Sequence, residues 1–259
     1  MVFTDTHTHL YLKEFDGDRD ETIQRAINTG VKLMFLPNID SNTATPMLDL
    51  CRKFPSNVFP MMGLHPTDVK ENYMEELDKV EKYLINEKFY AIGETGMDLY
   101  WDKTFLEEQK ISLRAQIEFA KFFKLPIVIH SRNSFDEIFE IIDDTIDDKL
   151  TGVFHCFTGT ADQAQRIIEW GFKLGIGGVL TFKNSGLDRV VKNISLDHII
   201  LETDSPFLAP KPYRGRRNES AYIYNVAEKL AEIKGIAIDE VATRTTQNAV
   251  EFFKIKNPY

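Results

Sequence analysis

Of the six histidines in this 259-residue chain, five stand where short apolar runs come to an end. His7 and His9 close the first such run, His65 follows the third, and His130 and His155 finish the fifth and sixth, leaving only His198 elsewhere. Glu94 ends the fourth run and Asp204 follows the eighth. A single histidine is ordinarily a packed ring with a satisfied hydrogen bond. Five at equivalent places, with two carboxylates, read instead as one converging site. In His7-Thr8-His9 the two imidazoles lie two residues apart on an extended chain, so they project to one side and can grip one cation. Asp5 is expected to serve as an outer partner for a ligating imidazole. Setting His65 aside, His7, His9, Glu94, His130, His155 and Asp204 are too many ligands for one tetrahedral ion that must keep a position open. They suit two divalent cations sharing a carboxylate, about 3.5 to 4 Å apart. Imidazoles favour zinc, manganese, iron or nickel and carboxylates add magnesium, so the donor set leaves the metal open.

Such residues meet only if the elements carrying them converge. Eight strand candidates alternate with helical segments: Val2 to Thr6, Val31 to Pro37, Val58 to Gly63, Tyr90 to Glu94, Ile127 to His130, Gly152 to Cys156, Phe172 to Gly177 and Ile199 to Thr203. The clearest helices are Thr104 to Phe123, with Glu107 and Glu108 near its start, and Ser134 to Asp143, with apolar residues at 135, 138, 139 and 142. A last helix is expected from Ile238 to Phe253. Eight regular βα units in about 250 residues is the size of a TIM barrel, whose active sites lie at the C-terminal strand ends. An open doubly wound sheet would also be parallel. It would hold the first and eighth strands far apart, whereas a closed ring brings His7, His9 and Asp204 together. The expected fold is therefore α/β, a (β/α)8 barrel, forming a single domain over 1–259, since no linker or repeat divides the chain.

Composition narrows the function. With 43% hydrophobic and 27% charged residues the chain has the profile of a compact globular protein. No run reaches the roughly 18 apolar residues of a membrane span and the first residues carry no leader pattern, so no membrane association and a cytoplasmic location are the expectation. Cys51 and Cys156 are too few for a disulfide scaffold and read as reduced thiols. A net charge of −9 argues against broad affinity for nucleic acid. Positive charge for an anionic substrate must then be local, from bound cations or from Lys211-Pro212-Tyr213-Arg214-Gly215-Arg216-Arg217 beside the proposed mouth. Nothing in the sequence points to an obligate protein partner.

Four blocks carry a resemblance that runs across essentially the whole chain: Asp5-Thr6-His7-Thr8-His9, Gly93-Glu94-Thr95-Gly96-Met97-Asp98, Pro126-Ile127-Val128-Ile129-His130-Ser131-Arg132, and Leu201-Glu202-Thr203-Asp204-Ser205-Pro206-Phe207-Leu208-Ala209-Pro210. On these the sequence resembles the TatD family of metal-dependent deoxyribonucleases. The last block, continued by Arg214-Gly215-Arg216-Arg217-Asn218-Glu219, is the most specific, and it separates the chain from polymerase-associated phosphoesterase domains that open with a similar H-x-H. The resemblance implies that His7, His9, Glu94 and Asp204 hold one ion and Glu94, His130 and His155 the other. It implies a 3′ to 5′ exonuclease-like or related phosphodiesterase activity on DNA with magnesium or another divalent cation. Two positions depart from the pattern: Tyr11 stands where the family usually has Asp or Asn, and Ser220 where Pro is common.

The expected chemistry is phosphodiester hydrolysis, with the cations offsetting charge on phosphoryl oxygens. Asp204 is the candidate for orienting or deprotonating the attacking water. His65 either contacts phosphate or protonates the leaving oxygen, or else merely caps its loop. Arg132, Arg214 and Arg216 are candidate phosphate contacts, against ordinary surface pairing for the first and a solvated face for the others. Tyr100 and Trp101 either stack a base or pack along their loop. Glu202, on the side of Asp204, is an outer-partner candidate rather than a ligand. The rival activity is an amidohydrolase acting on a C–N or ester bond. Many such sites bridge their metals with a modified lysine, and this chain has Glu94 there.

Overall fold

The computed structural model describes residues 1–256. Eight strands, β1 (Phe3–Asp5), β2 (Val31–Pro37), β3 (Val58–Met61), β4 (Ile92–Asp98), β5 (Ile127–Arg132), β6 (Gly152–Phe154), β7 (Lys173–Ile176) and β8 (Ile199–Leu201), alternate with α1 (Arg19–Asn28), α2 (Ser41–Lys53), α3 (Tyr73–Asn86), α4 (Leu106–Phe123), α5 (Phe135–Thr145), α6 (Ala161–Glu169) and α7 (Leu187–Val191), and α8 (Ile223–Lys234) and α9 (Ile238–Phe252) follow. Every strand pair is parallel, in the order β1-β2-β3 and β4-β5-β6-β7-β8. Two seams close the ring. Between β3 and β4 the Gly93 N–H donates to the Met62 carbonyl at 2.9 Å, and between β8 and β1 the Thr6 N–H donates to that of Leu201 at 3.0 Å. Bridges at Met62–Ile92 and Thr8–Ser205 continue the seams. The fold is the expected (β/α)8 barrel.

Local chemistry explains the helix starts. Asp40 and Thr43 form a reciprocal capping box on α2, as do Thr160 and Gln163 on α6, which satisfies N–H groups a helix start otherwise leaves open. The α5 helix buries Ile138, Phe139, Ile141 and Ile142 on one face. Inside the ring a separate apolar plug forms from Leu33, Phe35, Phe59, Met61, Val128, Val153 and Ile200, and Phe253 closes it from below. Phe253 stacks on Phe35 with ring centroids 3.8 Å apart. Because side chains alternate along a strand, a plug residue and the residue two further on share the interior. Val128 thus leads to His130, Val153 to His155 and Ile200 to Glu202. The lower half of the ring is packed hydrocarbon and the upper half is polar.

Three boundaries differ from expectation in ways that matter. The fourth strand runs from Ile92 to Asp98, so Glu94 lies within it and Asp98 ends it. Its pairing to β5 is irregular between Ile92 and Thr95. Glycine at 93 and 96 hides the strand in the sequence, and at Gly96 (φ +129°) an added Cβ would lie 2.1 Å from the His130 carbonyl oxygen. The fifth strand continues past His130 to Arg132, and the sixth stops at Phe154, leaving His155 just beyond it.

Candidate metal centre

At the C-terminal mouth of the barrel the two oxygens of Glu94 divide the imidazoles between them. Oε2 lies 3.1 Å from His7 Nε2 and 3.5 Å from His9 Nε2. Oε1 lies 2.9 Å from His130 Nδ1, 2.8 Å from His155 Nε2 and 3.3 Å from His65 Nε2. Asp204 Oδ1 sits 3.5 Å from His9 Nε2 and 3.8 Å from His7 Nε2. All six expected ligands, with His65, therefore meet in one nest around a carboxylate that is 2% exposed. The ring of His7 stacks on that of His155 at 3.9 Å, so the two groups adjoin.

The donor chemistry fits divalent cations. His7 Nε2 and His9 Nε2 face each other at 3.3 Å, and His130 Nδ1 faces His155 Nε2 at the same distance. Opposed ring nitrogens need a shared proton or a cation between them. Three overlapping groups, His7/His9/Glu94, His7/His155/Asp204 and His65/Glu94/His130, place their donor atoms within 4.8 Å of one another.

Burial and neighbouring charges push the groups of this nest in opposing directions. Burial works against ionising Glu94, but His155, His65 and His7 outweigh it and hold the carboxyl well below its ordinary range. For His9, burial lowers the pKa, while hydrogen bonds to Asp204 and Glu94 win and push it up to about 9. His155, opposed by burial and favoured by Glu94 and Glu202, is raised well above the usual imidazole value. His130 is raised too, by Asp98 and Glu94 against burial. His7 goes the other way, lowered by burial and by His155. Protons on the raised imidazoles occupy places that cations would take.

Outer partners fix several rings. His130 Nε2 donates to Asp98 Oδ2 at 3.0 Å. His155 Nδ1 lies 3.4 Å from Glu202 Oε1, which also accepts the Cys156 N–H. Glu202 thus lies on the side of His155 away from Glu94, within charge-pairing distance of its Nδ1. Asp5 is not placed as expected. It touches no imidazole ring, but accepts from the backbone N–H groups of His7 and Thr203 and from the Thr203 hydroxyl, so it ties β1 to the segment that leads to Asp204. That segment ends in a left-handed residue, Asp204 itself (φ 54°), an uncommon conformation for a non-glycine residue that marks stored strain at a site.

His65 differs in kind from the other four. Its Nδ1 is engaged by its own loop, 3.1 Å from the Thr67 backbone N–H and 2.7 Å from the Thr67 hydroxyl, which itself donates to Asp68 Oδ2, so only Nε2 faces Glu94. Two buried glutamines of α4 steady this side of the mouth. Gln116 accepts from the Leu64 N–H and donates to its carbonyl, and Gln109 accepts from the Asp98 N–H. Reading the sequence for ligands passed over Asp98, Gln109 and Gln116. A signal was present, because polar residues 109, 112 and 116 share the buried stripe of a helix.

The mouth opens into a cavity of about 770 Å³ whose walls include Glu94, Asp204, His65, Arg132, Trp101 and Phe207. The Arg132 guanidinium lies 4.0 Å over the Tyr100 ring and 5.0 Å over that of Trp101. Arg214 and Arg216 do not line this cavity; Arg214 lies 3.7 Å over Phe182 and Arg216 is exposed. Arg217 is held by Asp18. A larger hollow of about 860 Å³ at the opposite end, walled by Lys32, Phe59, Tyr90 and Phe253, gathers no acids or imidazoles and is not the site. Cys51 and Cys156 are both free thiols. Among the described residues no helix is long and apolar enough to cross a membrane.

Fold and donor set define the class: a metal-dependent hydrolase on a (β/α)8 barrel. Comparison with known proteins narrows it. The profile of the TatD related DNase family matches residues 4–254, and the chain belongs to that family. It is 38% identical over 256 residues to the uncharacterized metal-dependent hydrolase YabD of Bacillus subtilis, covering 98% of this chain and 100% of that protein. It is 28% identical to the 3'-5' ssDNA/RNA exonuclease TatD of Salmonella typhimurium, covering 97% and 98%. The crystal structure of YjjV, a TatD homolog from Escherichia coli, superposes with a TM-score of 0.92 at 28% identity, covering 98% of each chain.

Proposed function

We propose that the chain is a phosphodiester hydrolase that shortens single-stranded DNA from its 3′ end with two divalent cations, acting as one catalytic domain. The observation that carries this reading is the division of the Glu94 oxygens, one facing His7 and His9 and the other His130 and His155. One carboxylate shared in this way is what a pair of ions about 3.5 to 4 Å apart requires. Asp204 would join the first ion and His130 and His155 would hold the second. When bound, the cations supply Lewis acidity to water and to the phosphoryl oxygens.

The side chains divide the remaining work. Asp204, its carboxyl held below the ordinary range although burial opposes this, through His9 and His155, orients the attacking water and takes its proton. His65 donates its Nε2–H to a phosphate oxygen or the leaving oxygen. Arg132, braced on two aromatic rings and with no carboxylate within ion-pair distance among the described residues, clamps the phosphate through its forked donors. Trp101, 69% exposed at the rim, offers a face for a terminal base. The activity of the Salmonella relative supports the substrate class. Arg214 and Arg216 serve at most as longer-range contacts beyond the cavity.

A 5′-labelled single strand incubated with magnesium or manganese should give a ladder shortening from the 3′ end, and a chelator should abolish it. Turnover of an acyl amide or ester panel with no cleavage of any phosphodiester would overturn the proposal in favour of amidohydrolase chemistry.

A further inference from the structure

Tyr11 is buried, 5% exposed, against the side of His9 that faces away from the nest. Its hydroxyl donates to the Pro37 carbonyl at 2.6 Å. A carbonyl only accepts, so the single hydroxyl proton is committed there and the phenolic oxygen is left as an acceptor. His9 Nδ1 lies 3.0 Å from that oxygen, so it must carry a proton and donate. With Nδ1 protonated, the neutral ring turns a lone pair at Nε2 toward Glu94 and Asp204. We infer that Tyr11 is a positioning residue that sets the tautomer and angle of His9 for one cation of the pair. The inference rests on His9 being a ligand, as proposed above.

The two halves of the nest then differ chemically. His130 is backed by the carboxylate of Asp98 and His155 by that of Glu202, whereas His9 is backed by a neutral phenol. A carboxylate draws the N–H and makes the ring a stronger donor; a phenol orients it with little added basicity. Removing the phenol oxygen should therefore weaken one ion and spare the other.

The test is Tyr11→Phe, which keeps the ring and its packing. Titration of the metal-free protein with manganese should show two binding steps for the wild type. In the variant one step should weaken about 10- to 100-fold, the range for loss of an outer partner, while the other stays put. Proton NMR of the metal-free protein provides a second readout. A hydrogen-bonded His9 Nδ1–H resonance should be present in the wild type and should shift or exchange rapidly in the variant. Two unchanged binding steps, or an unchanged Nδ1–H resonance, would overturn the inference. A single step in the wild type would instead sink the two-ion reading, and the NMR arm would still decide the role of Tyr11.

Discussion

If His9 holds a cation as proposed, that cation has to displace a proton, and the raised pKa of the ring gives the order of that cost. The ring is held at a pKa of about 9 in the metal-free protein, so at pH 7 it is protonated some two units below its titration point. Each unit is worth about 1.4 kcal/mol, which makes deprotonation cost about 3 kcal/mol and lowers apparent metal affinity about 100-fold relative to the fully deprotonated ring, about 50-fold relative to pH 9. His130 and His155 shift in the same direction and add to the effect. Fold stability of the metal-free protein runs oppositely. A histidine raised in the folded state contributes stability that is fully present below its unfolded value near 6.5 and is lost as pH rises through about 9. Raising the pH from 6.5 to 9 should lower the metal-free Tm while the stabilisation gained on adding manganese grows. Calorimetric titration in two buffers of different ionisation enthalpy should report at least one proton released per protein at pH 7. No proton release, with an affinity flat across this window, would refute the reasoning.

Two substitutions probe other links. Glu94→Ala removes the acceptor shared by the imidazoles, so bound metal should fall from two ions to at most one and hydrolysis by more than about a hundredfold, because several kcal/mol of charge stabilisation leave with the metal; retained stoichiometry in elemental analysis would remove the bridging role. Gly96→Ala should destabilise the fold by roughly 2 to 6 kcal/mol in urea unfolding, from a strained φ and from overpacking against the β5 backbone together; a loss below about 1 kcal/mol would show that β4 and β5 part easily.

The sequence disclosed which imidazoles and carboxylates meet at the mouth because metal chemistry restricts candidate donors to a few residue types, and each of these follows an apolar run. It disclosed the ring because first-strand and eighth-strand residues only make sense together. It placed the fourth strand too early, since Tyr90 to Ile92 supplies the apolar signal and the glycines that follow suppress it, although those glycines admit the β5 backbone. Outer partners were harder to read. Asp98 serves a ring 32 residues away, and Gln116 holds a loop 52 residues behind it. Nothing local distinguishes such a residue from a solvated one. Asp5 was assigned to an imidazole by proximity in sequence, and the fold spends it on Thr203 instead.

Burying Glu94 as an anion would be ruinous for the fold if nothing faced it, since an unpaired charge in a barrel interior is among the costliest groups a protein can hold. The imidazoles remove that difficulty in two interchangeable ways. Without metal, the raised imidazoles His9, His130 and His155 favour the protonated, positive form; in the proposed two-ion state the cations would supply the charge and the protons would leave. The barrel can then close around its site before any ion arrives, because the Val128, Val153 and Ile200 plug below the site is indifferent to which cation sits above. Proton release on metal binding is therefore a consequence of how this carboxylate is buried, and the pH dependence of metal affinity reads out the same balance that permits the chain to fold.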